Sequence, residues 1–314
     1  MAARKKKAAP GDGAGGEQAS DPAAAKPARK PKADAAAGPG AAPGGAPPTL
    51  VLPAPRAGSP YLGTSGFDYD AWVGSFYPVG LKRKERLGYY AAHFGGIEIN
   101  ASFYRKPSVE TVQAWCAQVP PAFHFVLKGW QRVTHQKRLR ECGELVSSFA
   151  TSVRALEGRM GPVLWQLPPN LKKDAKLLRD FLAILPKDLR AAFEFRHDSW
   201  HDEETFTILA AAGAALCVAD SDERTTPVVR TAPFGYFRLR RTEYDEAALR
   251  EWAAKVKGAG FTSDVYVFFK HEDSAKGPEY AIAFEPLVVS SADPGKPVQG
   301  DRPRPGRDPG AGKG

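Results

Sequence analysis

Apolar and polar positions along this chain change their period repeatedly. Eight short runs are rich in β-branched, aromatic or alternating apolar residues and read as strands: Tyr61–Thr64, Ile97–Asn100, Phe123–Lys128, Val163–Leu167, Ala191–Arg196, Ala215–Asp220, Tyr236–Arg240 and Val265–Lys270. Between most of them apolar residues recur at helical spacing, over Arg83–Phe94, Val109–Ala117, Glu141–Leu156, Ala175–Leu185, Glu203–Ala212 and Asp245–Val256. Ser108 and Asp202 stand immediately before two of these segments, where a side-chain oxygen can cap the first free backbone N–H groups. Strands alternating with helices predict right-handed parallel βαβ units. Eight such strands in this length predict one closed (β/α)8 TIM barrel of the α/β class rather than an open sheet. Ser221–Pro233 reads as a loop, so the connection from the sixth strand to the seventh lacks a helix.

Successive side chains of a strand point to opposite faces, so each run divides into two sets. Ile97 and Ile99 oppose Glu98 and Asn100; Phe123, Phe125 and Leu127 oppose His124, Val126 and Lys128. Val163, Trp165 and Leu167 oppose Leu164 and Gln166; Phe193 and Phe195 oppose Glu194 and Arg196; Phe237 and Leu239 oppose Tyr236, Arg238 and Arg240. The apolar sets belong against the helix layer, which leaves the polar sets inside the barrel. An interior built only for packing is rich in Val, Ile and Leu. The polar residues here gather toward the strand ends where barrel sites are built, and so predict a ligand site at the mouth.

Composition confines this reading to the middle of the chain. Residues 1–55 are almost wholly Ala, Gly, Pro and Lys, and residues 291–314 repeat that style with Asp and Arg. Such stretches hold too little apolar surface to offset the entropy of ordering, so two disordered tails are expected to flank a barrel at 56–290. The formal charge of +9 divides accordingly: +4 falls on the first fifty residues, +2 on the last twenty-four and +3 on everything between. Nucleic acid is therefore a possible partner through the basic tails rather than through the barrel surface. Cys116, Cys142 and Cys217 are far apart and without CxxC spacing, which argues against a disulfide framework and suits a reducing, cytoplasmic compartment. Arg4–Lys7 is not followed by an apolar run of a signal peptide, and no stretch is apolar enough for a membrane helix, so no membrane association is expected.

Several motifs together resemble the YecE-like family, the domain of unknown function numbered 72. They are Gly63-Thr64-Ser65-Gly66-Phe67 with Trp72 and Phe76-Tyr77-Pro78; Glu98-Ile99-Asn100-Ala101-Ser102-Phe103-Tyr104 with Pro107; and Phe125-Val126-Leu127-Lys128 followed by Thr134-His135. Leu164-Trp165-Gln166-Leu167-Pro168-Pro169 and Phe193-Glu194-Phe195-Arg196-His197 with Ser199-Trp200 complete the pattern, which covers residues 60 to 287. The resemblance implies a TIM-barrel fold and leaves the reaction open. One departure lies after the eighth strand, where the family places Asn residues and this chain has Phe269-Lys270-His271.

The candidate chemistry follows from the inward sets. Glu98 and Glu194 are candidate catalytic residues, two carboxylates in a partly dry pocket that could divide acid and base roles. The competing reading is that each is neutralised by a basic neighbour, Glu194 by Arg196 or Lys128 and Glu98 by Arg238. Lys128, Arg196 and Arg238 are candidates for holding a negatively charged ligand, with Arg240 and Arg241 expected to reach solvent. Thr64, Ser65, Asn100, Gln166, His197 and Asp220 are candidate ligand-binding groups, and Tyr104 and Trp200 candidates for stacking on a ring or sugar face. His124, His135, His197 and His271 invite a metal reading with the carboxylates, but no HxH or HExxH spacing supports it and no metal site is assigned. The cofactor is left unknown: no GxGxxG or GxxxxGK[ST] follows a strand, which removes the usual dinucleotide and P-loop readings, and no Ser or Cys stands in a nucleophile elbow, which argues against acyl transfer. Two function classes remain. One is a barrel enzyme acting by acid/base or hydrolytic chemistry on a small anionic, phosphorylated or polyhydroxylated ligand; the other is a non-catalytic ligand- or nucleic-acid-binding module using its basic tails.

Overall fold

The computed structural model describes residues 60–270 and 274–289. The expectations for both tails and for His271 lie outside these residues. Eight strands are present: β1 (Tyr61–Thr64), β2 (Gly96–Ile99), β3 (His124–Lys128), β4 (Met160–Gln166), β5 (Ala191–Glu194), β6 (Ala215–Asp220), β7 (Gly235–Leu239) and β8 (Val265–Phe269). Each pairs in parallel with its neighbours in the order β1-β8-β7-β6-β5-β4-β3-β2. The two ends of that order meet just beyond β1, where Ser65 bridges Glu98 and the Gly66 N–H donates to the Glu98 carbonyl at 2.8 Å. The sheet thereby closes into the expected (β/α)8 barrel.

Helices lie between the strands: α1 (Arg86–Ala91), α2 (Ala101–Tyr104), α3 (Val109–Cys116), α4 (Gly143–Arg154), α5 (Ala175–Ile184), α6 (Glu203–Ala211), α7 (Glu246–Gly258) and α8 (Lys276–Val288). Ser108 and Asp202 cap α3 and α6 as expected, accepting from Thr111 N–H at 3.2 Å and Thr205 N–H at 3.0 Å. In α5, Leu177, Leu178, Phe181 and Leu182 are buried, and Phe181 meets Trp165 and Phe193 edge-on at 5.2 and 6.0 Å. The β6–β7 connection carries no helix. There the Thr231 hydroxyl accepts from Leu216 N–H at 2.7 Å and donates to the Ala214 carbonyl at 2.8 Å, so side-chain bonds satisfy the backbone instead. Helix α8 was not foreseen, because Gly277, Pro278 and Pro286 interrupt its apolar pattern. Proline is tolerated in a first turn, where its missing N–H has no partner to lose.

The two side-chain sets of each strand separate as the parity predicts. Ile97, Ile99, Phe125, Leu127, Val163, Trp165, Phe193, Phe195, Phe237 and Leu239 pack in the outer core against the helices. A second, inner cluster contains Val126, Leu164, Ala192, Ala215, Cys217, Tyr236, Tyr266 and Phe268. Its small members leave room for its aromatic rings, which fill the barrel below the mouth. The opposite end is closed by Tyr61 stacked on His124 at 3.9 Å, with the Tyr266 hydroxyl 2.9 Å from His124 Nδ1 and 2.7 Å from Arg190 Nη2. All three cysteines are free thiols, and among the described residues no helix is long and apolar enough to cross a membrane.

Closure depends on Gly63. A Cβ there would collide with the Gly96 carbonyl oxygen across the β1–β2 seam and stand 2.5 Å from the Tyr90 hydroxyl. That hydroxyl accepts from Thr64 N–H at 2.7 Å and lies 3.2 Å from the Gly96 carbonyl, so neither neighbour can move without losing bonds. Gly63→Ala is expected to destabilise the fold by about 1–3 kcal/mol or more, read as a lower urea midpoint at unchanged slope. An unchanged midpoint would mean that the seam is not closed in this way.

Candidate functional site

The strands carry a charged cluster into the centre of the barrel, at the level of their C-terminal halves. Arg238 of β7 is fully buried and reaches across to β2 and β5. Its Nη2 lies 2.7 Å from Glu98 Oε1 and its Nη1 2.5 Å from Glu194 Oε2. The Tyr236 hydroxyl donates to the other Glu98 oxygen at 2.6 Å, and Arg240 Nη2 lies 3.3 Å from the other Glu194 oxygen. The Gln166 amide adds a hydrogen bond to Glu194. Burial is the largest influence and raises both carboxyls, but their neighbours together outweigh it: Glu98 is held below its ordinary value by Arg238 and Tyr236, and Glu194 well below it by Arg238, Arg240 and Lys128. Both are therefore ionised and fully committed. Each carboxylate is paired with a basic side chain, the kind of arrangement the competing reading of the sequence expected. Glu98 meets Arg238, the neighbour expected for it, whereas Glu194 meets Arg238 and Arg240 rather than Arg196 or Lys128. Arg240 thus turns onto Glu194 instead of reaching solvent.

Above this cluster stand cations of another kind. Lys128, at the end of β3, is half-buried with its Nζ 4.4 Å over the Phe103 ring. Among the described residues it has no carboxylate within ion-pair distance. Burial lowers its amine to about 7; Arg238 and Lys270 push the same way, and Glu194 and Glu98 only partly oppose. Arg196, just beyond β5, is likewise half-buried and, among the described residues, without a carboxylate partner. His135 follows β3, its Nδ1 2.8 Å from Thr134 Oγ1 and its ring edge-on to Phe103 at 4.9 Å. Burial, then the fields of Lys128, Arg196 and Arg138, lower this imidazole to about 4, so it is neutral at physiological pH. The turn that carries it is a π-helical one, Arg132–Gln136, followed by Arg138, Leu139 and Glu141 in the left-handed region (φ 49°, 69° and 45°). Non-glycine residues held there concentrate at functional sites.

Four further polar atoms at this level are buried without a hydrogen-bond partner: Ser65 Oγ, Asn100 Oδ1, Arg238 Nε and Arg240 Nε. The register Ile99 opposite Leu127 puts Asn100 beside Lys128. Of the residues chosen from the sequence, Ser65, Glu98, Asn100, Lys128, Gln166, Glu194, Arg196 and Arg238 thus come together at the mouth. Tyr104 stands at its rim, 66% exposed.

The others are placed elsewhere. Thr64 points outward, where its hydroxyl donates to the Gly66 carbonyl at 2.6 Å and lies 3.0 Å from the Tyr90 hydroxyl. Trp200 is fully buried, stacked on the outer-set Phe195 at 4.8 Å, with its indole N–H on the Leu171 carbonyl at 2.7 Å; it has no face free for a ligand. Asp220 has the outer parity of β6 and is buried against α7. It accepts from Thr225, Tyr244 and Trp252 at 2.6, 2.9 and 3.0 Å and pairs with Arg241 at 2.8 Å, so Arg241 is also engaged rather than free in solvent. His197 caps its own turn, accepting from Ser199 N–H at 3.1 Å. His124 lies at the far end of the barrel, and among the described residues no group of three His, Cys, Asp or Glu side chains converges as metal ligands. Sequence reasoning placed Arg240 outside the site although it shares the parity of Arg238, and named His135 only for a metal; its place beside Phe103 and Lys128 depends on the π-helical turn.

Comparison with known proteins supplies the context. A family model described as "Protein of unknown function DUF72" matches residues 61–303. The UPF0759 protein YecE of Escherichia coli (strain K12) is 32% identical over 138 residues, 44% of this chain and 48% of that relative, so the chain spans about half the relative's length. The UPF0759 protein YunF of Bacillus subtilis (strain 168) is 27% identical over 203 residues, 60% of this chain and 68% of the relative. Among solved structures, a DUF72 family protein from Thermotoga maritima MSB8 superposes with a TM-score of 0.66 at 28% identity, covering 73% of this chain and 99% of that one. A second, from Enterococcus faecalis V583, shares the fold at 20% identity and a TM-score of 0.63, covering 73% and 94%.

The shared guanidinium makes a definite stability prediction. Replacing Arg238 by Met leaves Glu98 and Glu194 buried without their main counterion, at a cost of about 3–5 kcal/mol near neutral pH. The sign of the pH dependence should also reverse. In the wild type the carboxylates' folded values are depressed, so their contribution is present above the unfolded value of 4.5 and is lost as pH falls below it. In Arg238→Met burial raises them, so the defect is greatest at neutral pH and is relieved as they protonate in acid. Urea unfolding at neutral and mildly acidic pH checks this; an equal defect at both would show that the carboxylates are not buried on Arg238.

Proposed function

The chain belongs to the DUF72 family of proteins of unknown function, and from that premise we propose that its barrel mouth binds a small anionic ligand and acts on it by acid/base chemistry. The observation that carries this reading is the surplus of positive charge. Glu98 and Glu194 are matched by Arg238 and Arg240, while Lys128 and Arg196 have no counterion among the described residues. Half-buried cations held without a partner are unfavourable unless something else supplies the charge. A carboxylate or phosphate would do so, taken by the fork of Arg196 and the point charge of Lys128. The unpartnered Ser65 Oγ and Asn100 Oδ1 suit the hydroxyls of a sugar-like or phosphorylated molecule.

In this reading the acid/base work does not fall to the carboxylates. They fix Arg238, and through it the floor of the mouth. Proton transfer belongs to Lys128, whose amine lies at about 7, close to physiological pH, and to the neutral His135 beside it. Tyr104 at the rim is placed to cover a bound ring or sugar face.

Calorimetric titration with inorganic phosphate, sugar phosphates and small carboxylates tests the proposal. Arg196→Ala should weaken binding about 10- to 100-fold, the worth of one or two charge-assisted hydrogen bonds. Lys128→Met should also lose affinity, yet melt no lower than the wild type without ligand, since it removes an unpaired half-buried charge. Equal binding by wild type and both variants, or binding of neutral sugars alone, would defeat this reading.

A further inference from the structure

We propose that Lys128 forms an imine with a small carbonyl compound whose own carboxylate or phosphate is held by Arg196. The proposal rests on the anion-binding reading above and specifies what its ligand must carry. Several independent features of the site support it. Lys128 is the last residue of β3 on the inward parity, and its Nζ stands over the Phe103 ring at 4.4 Å instead of on a carboxylate. Two carboxylates share the barrel with it, yet both are held by other groups: Glu98 by Arg238 and Tyr236, Glu194 by Arg238 and Arg240. Among the described residues, therefore, no ion pair keeps the amine protonated and occupied, and the Phe103 ring lies beneath it. Desolvation beside other cations is the usual way an amine is made nucleophilic.

The charged groups facing it come from every side of the barrel: Glu98 on β2, Glu194 on β5, Arg238 on β7 and Lys270 just beyond β8. Burial and the two cations prevail over the two carboxylates, leaving the amine at about 7 and much of it neutral at physiological pH. Asn100 Oδ1, buried without a partner just after the adjacent strand β2, is an acceptor that an imine N–H, once protonated, would satisfy.

The step balances without an oxidant or reductant. The amine lone pair forms the N–C bond as the carbonyl π bond opens, and the oxygen takes a proton to give a carbinolamine. Its hydroxyl then leaves as water while the nitrogen gives up a second proton and forms C=N. The neutral imidazole of His135 can relay these protons. Once formed, the imine draws electrons from the neighbouring carbon, which eases loss of a proton or cleavage of a bond there.

The test is reductive trapping. The full-length protein is incubated with pyruvate, glyoxylate or dihydroxyacetone phosphate, treated with sodium borohydride, and read by intact mass and peptide mapping. The expected result is one adduct, on Lys128, formed only when borohydride is present and lost in Lys128→Arg, which keeps the charge. The oxo acids and the phosphate distinguish a carboxylate handle from a phosphate one. Mapping of the wild type needs no variant, so a misfolded mutant cannot hide the answer. No adduct, or adducts spread over surface lysines, overturns the imine. Thermal shifts with lactate and inorganic phosphate, which have no carbonyl, separate the two readings. Stabilisation by either of them without trapping removes the imine and leaves anion binding standing, whereas no stabilisation by any of these compounds and no adduct removes both.

Discussion

A single guanidinium shared by two carboxylates in the middle of a barrel constrains everything above it. Removing charges from water is unfavourable by several kcal/mol per ion, and only good geometry with every lone pair engaged repays it. Arg238 goes most of the way, its two terminal nitrogens reaching Glu98 and Glu194 at once while Tyr236, Arg240 and Gln166 occupy the oxygens left over and only the Nε atoms of Arg238 and Arg240 stay unpartnered. The three members come from β7, β2 and β5, so the cluster cannot assemble unless the barrel closes. The close approach of β1 and β2 at Gly63 is thus tied to the electrostatics of the mouth.

The same constraint decides which groups are available for chemistry. A carboxylate held by a buried guanidinium is a poor acid and a poor base, however deep in a pocket it lies. Once both are matched, the next cations outward are surplus. Lys128 and Arg196 are in that position, and the strained turn after β3 brings His135 next to them. Such an arrangement trades stability for a binding capacity: charges unfavourable in the free protein become favourable when a ligand supplies the missing sign.

Strand parity made the barrel and most of its interior legible in the sequence. Because side chains alternate strictly, the pairs Ile97/Glu98, Phe193/Glu194 and Phe237/Arg238 could be assigned to opposite faces without coordinates, and the outer and inner clusters agree with that assignment. The pairing of Glu98 with Arg238 was read correctly, but the basic groups that Glu194 would meet were not. Those depend on how the strands stagger around the barrel, and Arg238 reaches Glu194 two strands away while Arg196 on the same strand does not. The loops were equally opaque. Trp200 follows a mouth strand directly, yet its turn folds it outward onto Phe195, and Asp220 failed as a mouth residue because its parity is that of Val218, not Cys217. Helix α8 was hidden by its prolines, which the composition of the segment marks as breakers and the structure places near its ends.

The central claim is that the carboxylates are held by Arg238 and Arg240, leaving Lys128 desolvated and with no ion-pair partner among the described residues. Carbon-13 NMR of the lysine ε-methylenes, followed across pH and assigned by Lys128→Arg, measures this directly. The account predicts for Lys128 a midpoint near 7, well below the ordinary lysine value of 10.5. A midpoint for Lys128 at 10.5 or above would mean that a carboxylate reaches it after all, and would contradict the account.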